Sequence, residues 1–101
     1  MKYGLSERSF ELMQDAFRFF DEIESVIIFG SRAMGNYKKG SDVDIAVKGK
    51  NVNHDVIGAL HTRLNEELPL PYFFDVIGYD LVESVELKNH VDEHGKVLYQ
   101  K

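Results

Sequence analysis

Residues Asp42–Val47 read DVDIAV, so acidic or small side chains alternate with β-branched apolar ones. A period of two suits a strand with one packed and one open face, and no helix can use it. Val43, Ile45 and Val47 fall on the packed side; Asp42 and Asp44 share the other, followed there by Ala46. Ser25–Gly30 (SVIIFG) is a shorter, almost wholly apolar run rich in β-branched residues, the mark of a strand buried on both faces. Tyr72–Tyr79 (YFFDVIGY) predicts a third strand, in which Asp75 interrupts an otherwise apolar or aromatic series.

Three helices fill the intervals. Ser6–Phe20 has Ser6 as a cap, Glu7 in the first turn and Phe10, Met13, Phe17 and Phe20 at helical spacing. His54–Leu68 carries Ile57, Leu60, Leu64 and Leu68 and is stopped by Pro69 and Pro71. Leu81–His94 is the third, with Gly95 placed to end it in a left-handed conformation; the tail KVLYQK adds a short strand. The expected fold is α/β (α+β), a small mixed sheet of three to four strands packed with helices. With 101 residues and no repeat or Pro/Gly-rich linker, residues 1–101 are expected to form one domain.

The chemistry concentrates in residues 30–47. Two residues apart in a strand, Asp42 and Asp44 would have Cα atoms roughly 6.5–7 Å apart, so both carboxylates can reach one metal or a close metal pair. If the second and third strands are neighbours, Asp75 joins them. Two carboxylates about 5 Å apart repel by roughly 3 kcal/mol at an effective dielectric near 20. Three on one face therefore point to a cation, and Mg2+, which shares oxygen ligands with substrate phosphates, suits them. Gly30 lets the backbone approach a phosphate, Ser31 offers a hydroxyl and an N–H, and a helical turn at Ser31–Met34 would add further N–H donors. This is not a P-loop, because Asn36-Tyr37 follow Gly35 and Ser41-Asp42 follow Gly40 where Lys and Ser/Thr would be required.

Other candidates have plainer readings. Arg32, Lys38 and Lys39 either contact phosphates or sit in a solvated loop. His90 and His94 are four apart on a helix but lack a third ligand, which favours a solvated helix face. Phe10, Phe17 and Phe20 read as core or, failing that, a partner surface, and Tyr72 and Tyr79 as core packing or a base-stacking platform.

The net charge of −5 argues against stable binding to long RNA or DNA, since such affinity comes from neutralising phosphates. No cysteine is present, so thiolate metal sites and disulfides are excluded. No segment has the length of a membrane span or the profile of a signal peptide, so no membrane association is expected and the cytoplasm is the expected location.

The segment GSRAMGNYKKGSDVDIAV resembles the signature of the polymerase beta-like nucleotidyltransferase superfamily, a Gly-Ser followed by an Asp-x-Asp pair. In its brevity the chain resembles the minimal nucleotidyltransferase (MNT) branch, often the antitoxin half of a pair with a helical HEPN partner. The likeness runs from the Gly-Ser loop through Asp75 to the closing GKVLY. It implies a nucleotidyltransferase fold in which Asp42 and Asp44 hold Mg2+ and the triphosphate. Asp75 would be the third carboxylate, assisting the metal or drawing a proton from the attacking hydroxyl. Gly30 and Ser31, with Arg32 and Ser41 beside them, would bind the nucleotide. The implied reaction carries AMP from ATP to a protein partner. A non-catalytic antitoxin acting by contact, or transfer to a small molecule such as an aminoglycoside, are the alternatives.

Overall fold

The computed structural model describes residues 2–101, in the order α1 (Glu7–Phe19), β1 (Ser25–Phe29), α2 (Gly30–Met34), β2 (Val43–Lys48), α3 (His54–Thr62), β3 (Phe74–Gly78), α4 (Val85–His94) and β4 (Lys96–Gln100). A π-helical turn, Arg63–Glu67, continues α3. The four strands form one mixed sheet in the order β3-β2-β1-β4. β1 runs antiparallel to both neighbours, while β2 and β3 are parallel and joined by the α3 crossover.

Alternation along β2 sorts the core as expected. Val43, Ile45 and Val47 are buried with Val26 and Ile28 of β1 and Phe74 and Val76 of β3, under Met13 and Phe17 of α1 and Val56, Leu60 and Leu64 of α3. The opposite face carries a smaller cluster of Phe29, Ala46 and Val91, against which Ile27, Ile77, Tyr79 and Leu87 pack. Here α4 is the cover.

The helix termini follow local chemistry. Ser6, Asn53 and Ser84 each accept an N–H from three residues ahead and cap α1, α3 and α4. Ser84 sets the start of α4 four residues later than the apolar pattern predicts, because Leu81 and Val82 instead turn back to donate to Gly78 O. The expected left-handed cap at Gly95 is not formed: its φ is −70° and ψ 152°, extended backbone leading straight into β4. Close approach explains the glycine, since a Cβ there would strike the Val91 carbonyl and sit 2.5 Å from Ile27 Cγ2.

β4, expected only as a short strand, carries a bulge. Its register against β1 slips between Val26 and Ile27, so the consecutive residues Leu98 and Tyr99 are both buried. The Gln14 side chain of α1 donates to Leu98 O at 2.8 Å and satisfies a carbonyl there.

Candidate active site

Register brings the acids together. Phe29, Asp44 and Asp75 are cross-strand partners in one row at the edge of the face covered by α4. The next row, Ile27, Ala46 and Ile77, is apolar and lies within the small core. The apolar cover thus gives way where the carboxylates begin. Asp42 departs from expectation: β2 starts at Val43, so Asp42 stands one residue ahead of the strand, and its side chain is exposed. Its backbone is nevertheless fixed on both sides, since Ser41 O accepts from Arg32 and Val43 N–H donates to Phe73 O at 2.9 Å.

Burial, then the charge of Asp75, then that of Asp42, holds the Asp44 carboxyl above its ordinary value of 3.8, while His90 pulls it the other way. Asp75 and Asp42 thus both lie close enough to act electrostatically on Asp44. Among the described residues no group of three carboxylate or imidazole side chains, the expected triad of Asp42, Asp44 and Asp75 included, is gathered closely enough to hold a metal ion. Asp44 and Asp75, side by side across the sheet, are oxygen donors of the kind Mg2+ takes together with substrate and water oxygens. His90 departs from the solvated face that the sequence predicts for it. It is half-buried with its ring edge-on to Phe29 at 6.0 Å, and His94 follows it at 5.2 Å on the exposed side.

Gly30 has φ +73° and opens α2 immediately after β1. A side chain at Gly30 would collide with Oδ2 of Asp44, so the Gly-Ser turn and the acid pair are in direct apposition. Ser31 is half-buried on this turn. Lys38 and Lys39 are exposed, in a turn where Ser41 N–H donates to Lys38 O and Lys38 N–H to the Ser41 hydroxyl. Arg32 occupies a different place from the one expected of a phosphate ligand. It is 3% exposed, and its guanidinium is committed to the carbonyls of Ser41 and Tyr3.

One contact that positions the site carries no sequence signal. Asn65, in the π turn, accepts from Phe74 N–H at 2.8 Å and donates to Phe74 O at 3.0 Å. It thereby pairs the outer edge of β3 one residue before Asp75. A π turn interrupts helical periodicity, so the sequence pattern could not aim Asn65. Two surface grooves, each about 460 Å3, lie elsewhere: one between α1 and α3 beneath Phe19 and Arg63, the other beside Leu5 and Phe10.

This arrangement of sheet, glycine turn and acids has counterparts. The family described as Polymerase beta, Nucleotidyltransferase matches residues 11–101. A protein of Methanocaldococcus jannaschii named as a protein adenylyltransferase is 34% identical over 91 residues, covering 81% of this chain and 84% of its own. A chain of a toxin–antitoxin complex solved with AMP-PNP superposes with a TM-score of 0.75 at 22% identity, over 91% of this chain and 73% of that one. A chain from the tri-AMPylated Shewanella oneidensis HEPN toxin in complex with MNT antitoxin gives 0.70 at 20% identity, over 94% and 72%. At these identities the structural likeness bears on fold alone. The chain belongs to the polymerase beta nucleotidyltransferase family and is a nucleotidyltransferase.

Proposed function

We propose that this chain is a Mg2+-dependent adenylyltransferase that moves AMP from ATP onto a hydroxyl of a protein partner, a helical HEPN-type toxin for which it is the antitoxin. The observation that carries the reading is the Asp44–Asp75 pair in one cross-strand row, with Asp42 beside it and Gly30 pressed against Asp44. The M. jannaschii relative's name supports protein as acceptor, and the complexes with AMP-PNP and with a tri-AMPylated toxin support ATP and a HEPN partner. Among the described residues no helix is long and apolar enough to cross a membrane.

Asp42, Asp44 and Asp75 would hold Mg2+, which when bound offsets the charge of the triphosphate. Gly30 and Ser31 would present backbone N–H groups and a hydroxyl to the β- and γ-phosphates. Asp75, exposed at the rim, would take the proton of the attacking hydroxyl. A new oxygen–phosphorus bond forms at the α-phosphate, the α–β bridge breaks and pyrophosphate leaves. The charges crowded around Asp44 would be offset by a bound cation, as expected of a site arranged for charge.

The test is transfer from ATP labelled at the α-phosphate, in a lysate of the native host, with Mg2+ present or chelated. The expected outcome is one labelled protein band, lost on chelation and reduced at least about a hundredfold by Asp44→Asn, the scale seen when a group that stabilises transition-state charge is removed. An Asp44→Asn chain that labels as well as the wild type sinks the reading. If that variant instead fails to label yet fully neutralises its partner, neutralisation is by contact.

A further inference from the structure

Arg32 is a buried guanidinium with no carboxylate within ion-pair distance among the described residues. Burying an unpaired charge is expensive unless hydrogen bonds and ring faces replace the lost water. Here Nε and Nη2 both donate to Ser41 O, at 3.0 and 2.8 Å, and Nη1 donates to Tyr3 O at 2.9 Å. The guanidinium carbon lies 5.1 Å from the ring centroids of both Tyr37 and Tyr72. Tyr72 is itself anchored: its hydroxyl accepts Ser6 N–H at 3.3 Å. Burial alone would raise that phenol, but hydrogen bonds from Ser9 and Ser6, with the charge of Arg32, bring it below its ordinary value.

Arg32 thus joins three segments. It belongs to α2, two residues after Gly30. Through Ser41 O it holds the peptide that leads into Asp42, an exposed acid whose own carboxylate has no hydrogen-bond partner among the described residues. Through Tyr3 O it holds a tight N-terminal turn in which Tyr3 and Gly4 have φ of +59° and +73°. A Cβ at Gly4 would lie 2.5 Å from the Tyr37 ring and 2.7 Å from Arg32 Nη1, so a side chain there would displace one or the other.

We propose that Arg32 is a positioning residue for nucleotide transfer, fixing Asp42 relative to the Gly30–Ser31 turn, and that the Tyr3–Gly4 turn is part of the same device. The proposal rests on the reading of Asp42 as a metal ligand. Arg32 touches no reacting atom; its effect passes through one peptide plane. Misplacing a reacting group by about 1 Å can cost on the order of a hundredfold in rate, so a joint this close to Asp42 has leverage. Lysine cannot substitute, because a single ammonium lacks the planar fork that reaches Ser41 O and Tyr3 O together.

The test compares the wild-type chain with Arg32→Lys, Gly4→Ala and the double variant. Thermal unfolding selects temperatures at which all are folded. Mn2+ affinity is read by electron paramagnetic resonance, and AMP transfer as kcat and KM for ATP. Both single variants are expected to bind Mn2+ severalfold more weakly and to lose about ten- to a hundredfold in kcat with a smaller change in KM. The double variant should lose no more than the worse single one, since both act through the same joint. A folded Arg32→Lys with wild-type Mn2+ affinity and kcat overturns the proposal. A loss confined to KM for ATP also overturns it, by returning Arg32 to the role of direct phosphate ligand. If even the wild type transfers nothing, the transferase reading fails separately, and Mn2+ affinity still decides whether Arg32 shapes the Asp42 site.

Discussion

The two faces of the sheet are built from the same strands, residue by alternate residue, yet they obey different rules. On one face Val43, Ile45, Val47, Phe74 and Val76 disappear beneath α1 and α3. On the other, Phe29 and Ala46 are covered by Val91 of α4, and the cover stops at Asp44 and Asp75. The first face is specified by apolar volume and tolerates no charge. The second accepts like charges side by side, an arrangement that burial under a helix would forbid. A strand with a period of two lets one segment serve stability and chemistry without mixing them.

The contrast is broken most severely by cavities. Phe74→Ala removes a fully buried ring from the larger core and should cost about 3–5 kcal/mol. Against the roughly 5–15 kcal/mol typical of a domain this size, that is between about a fifth and all of the total, so the variant should melt at a markedly lower temperature. Ile77→Ala, three residues on and half-buried under α4, should cost only about 1–2 kcal/mol. Urea unfolding of the two variants measures the difference. Equal losses would mean that α4 covers its face as firmly as α1 and α3 cover theirs.

How far the sequence revealed these faces depends on where periodicity persists. Alternation in DVDIAV puts Val43, Ile45 and Val47 in the core and Asp44 opposite, and the cap residue Ser6 is legible at sight; the cap Asn53 emerges only in the structure. Two features escaped because they break the period: the β4 bulge, which buries Leu98 beside Tyr99, and the π turn that aims Asn65 at Phe74. Gly95 is ambiguous in sequence because a glycine after a helix has two causes, positive φ and close approach, and only the neighbours Val91 and Ile27 reveal which. In the site, Gly30, Asp44 and Asp75 come together much as their pattern suggests. Arg32 is turned to the carbonyls of Ser41 and Tyr3, a placement the sequence hides, since a basic residue next to a Gly-Ser turn looks the same whether it meets a phosphate or a carbonyl.

A smaller effect sharpens the comparison and has the opposite sign. Burial and the neighbouring Asp75 and Asp42 raise the Asp44 carboxyl, so the fold favours its protonated form. The associated stability is present below the ordinary carboxylate range and is lost as pH climbs through the raised value. At pH 7 the ionised Asp44 is therefore a burden, and Asp44→Asn should be more stable than the wild type. Solvent screening at a half-exposed group keeps the gain near or below about 1 kcal/mol, up to roughly 4–8 °C in Tm for a chain this size. The gap should narrow as pH falls toward 4, and saturating Mg2+ should close it by stabilising the wild type alone. Differential scanning calorimetry across pH, with and without Mg2+, measures both trends. An Asp44→Asn chain less stable than the wild type at pH 7 would mean that the acids do not burden the fold.

The smallest expected effect concerns how α4 is held. Tyr79 ends the open-face row series, and its hydroxyl donates to Asp92 of α4 at 2.8 Å. That bond, then burial, then the charges of Asp92 and Asp80 keep the phenol above its ordinary value, so it remains a donor throughout the neutral range. Lys48 and Lys88 lie over the same ring at 4.3 and 5.6 Å from its centroid. Tyr79→Phe keeps the ring and both cations and deletes only the hydroxyl. Global stability should scarcely change, because the bond is exposed to competing water. Local opening should respond instead: amides of α4 near Val91 and Asp92 are expected to exchange with solvent severalfold faster, while those of β1 and β2 keep their rates. Hydrogen exchange read by NMR separates the two. Faster exchange throughout the sheet would show that α4 opens only with the whole fold, and that the cover on the acidic face is as cooperative as the core behind it.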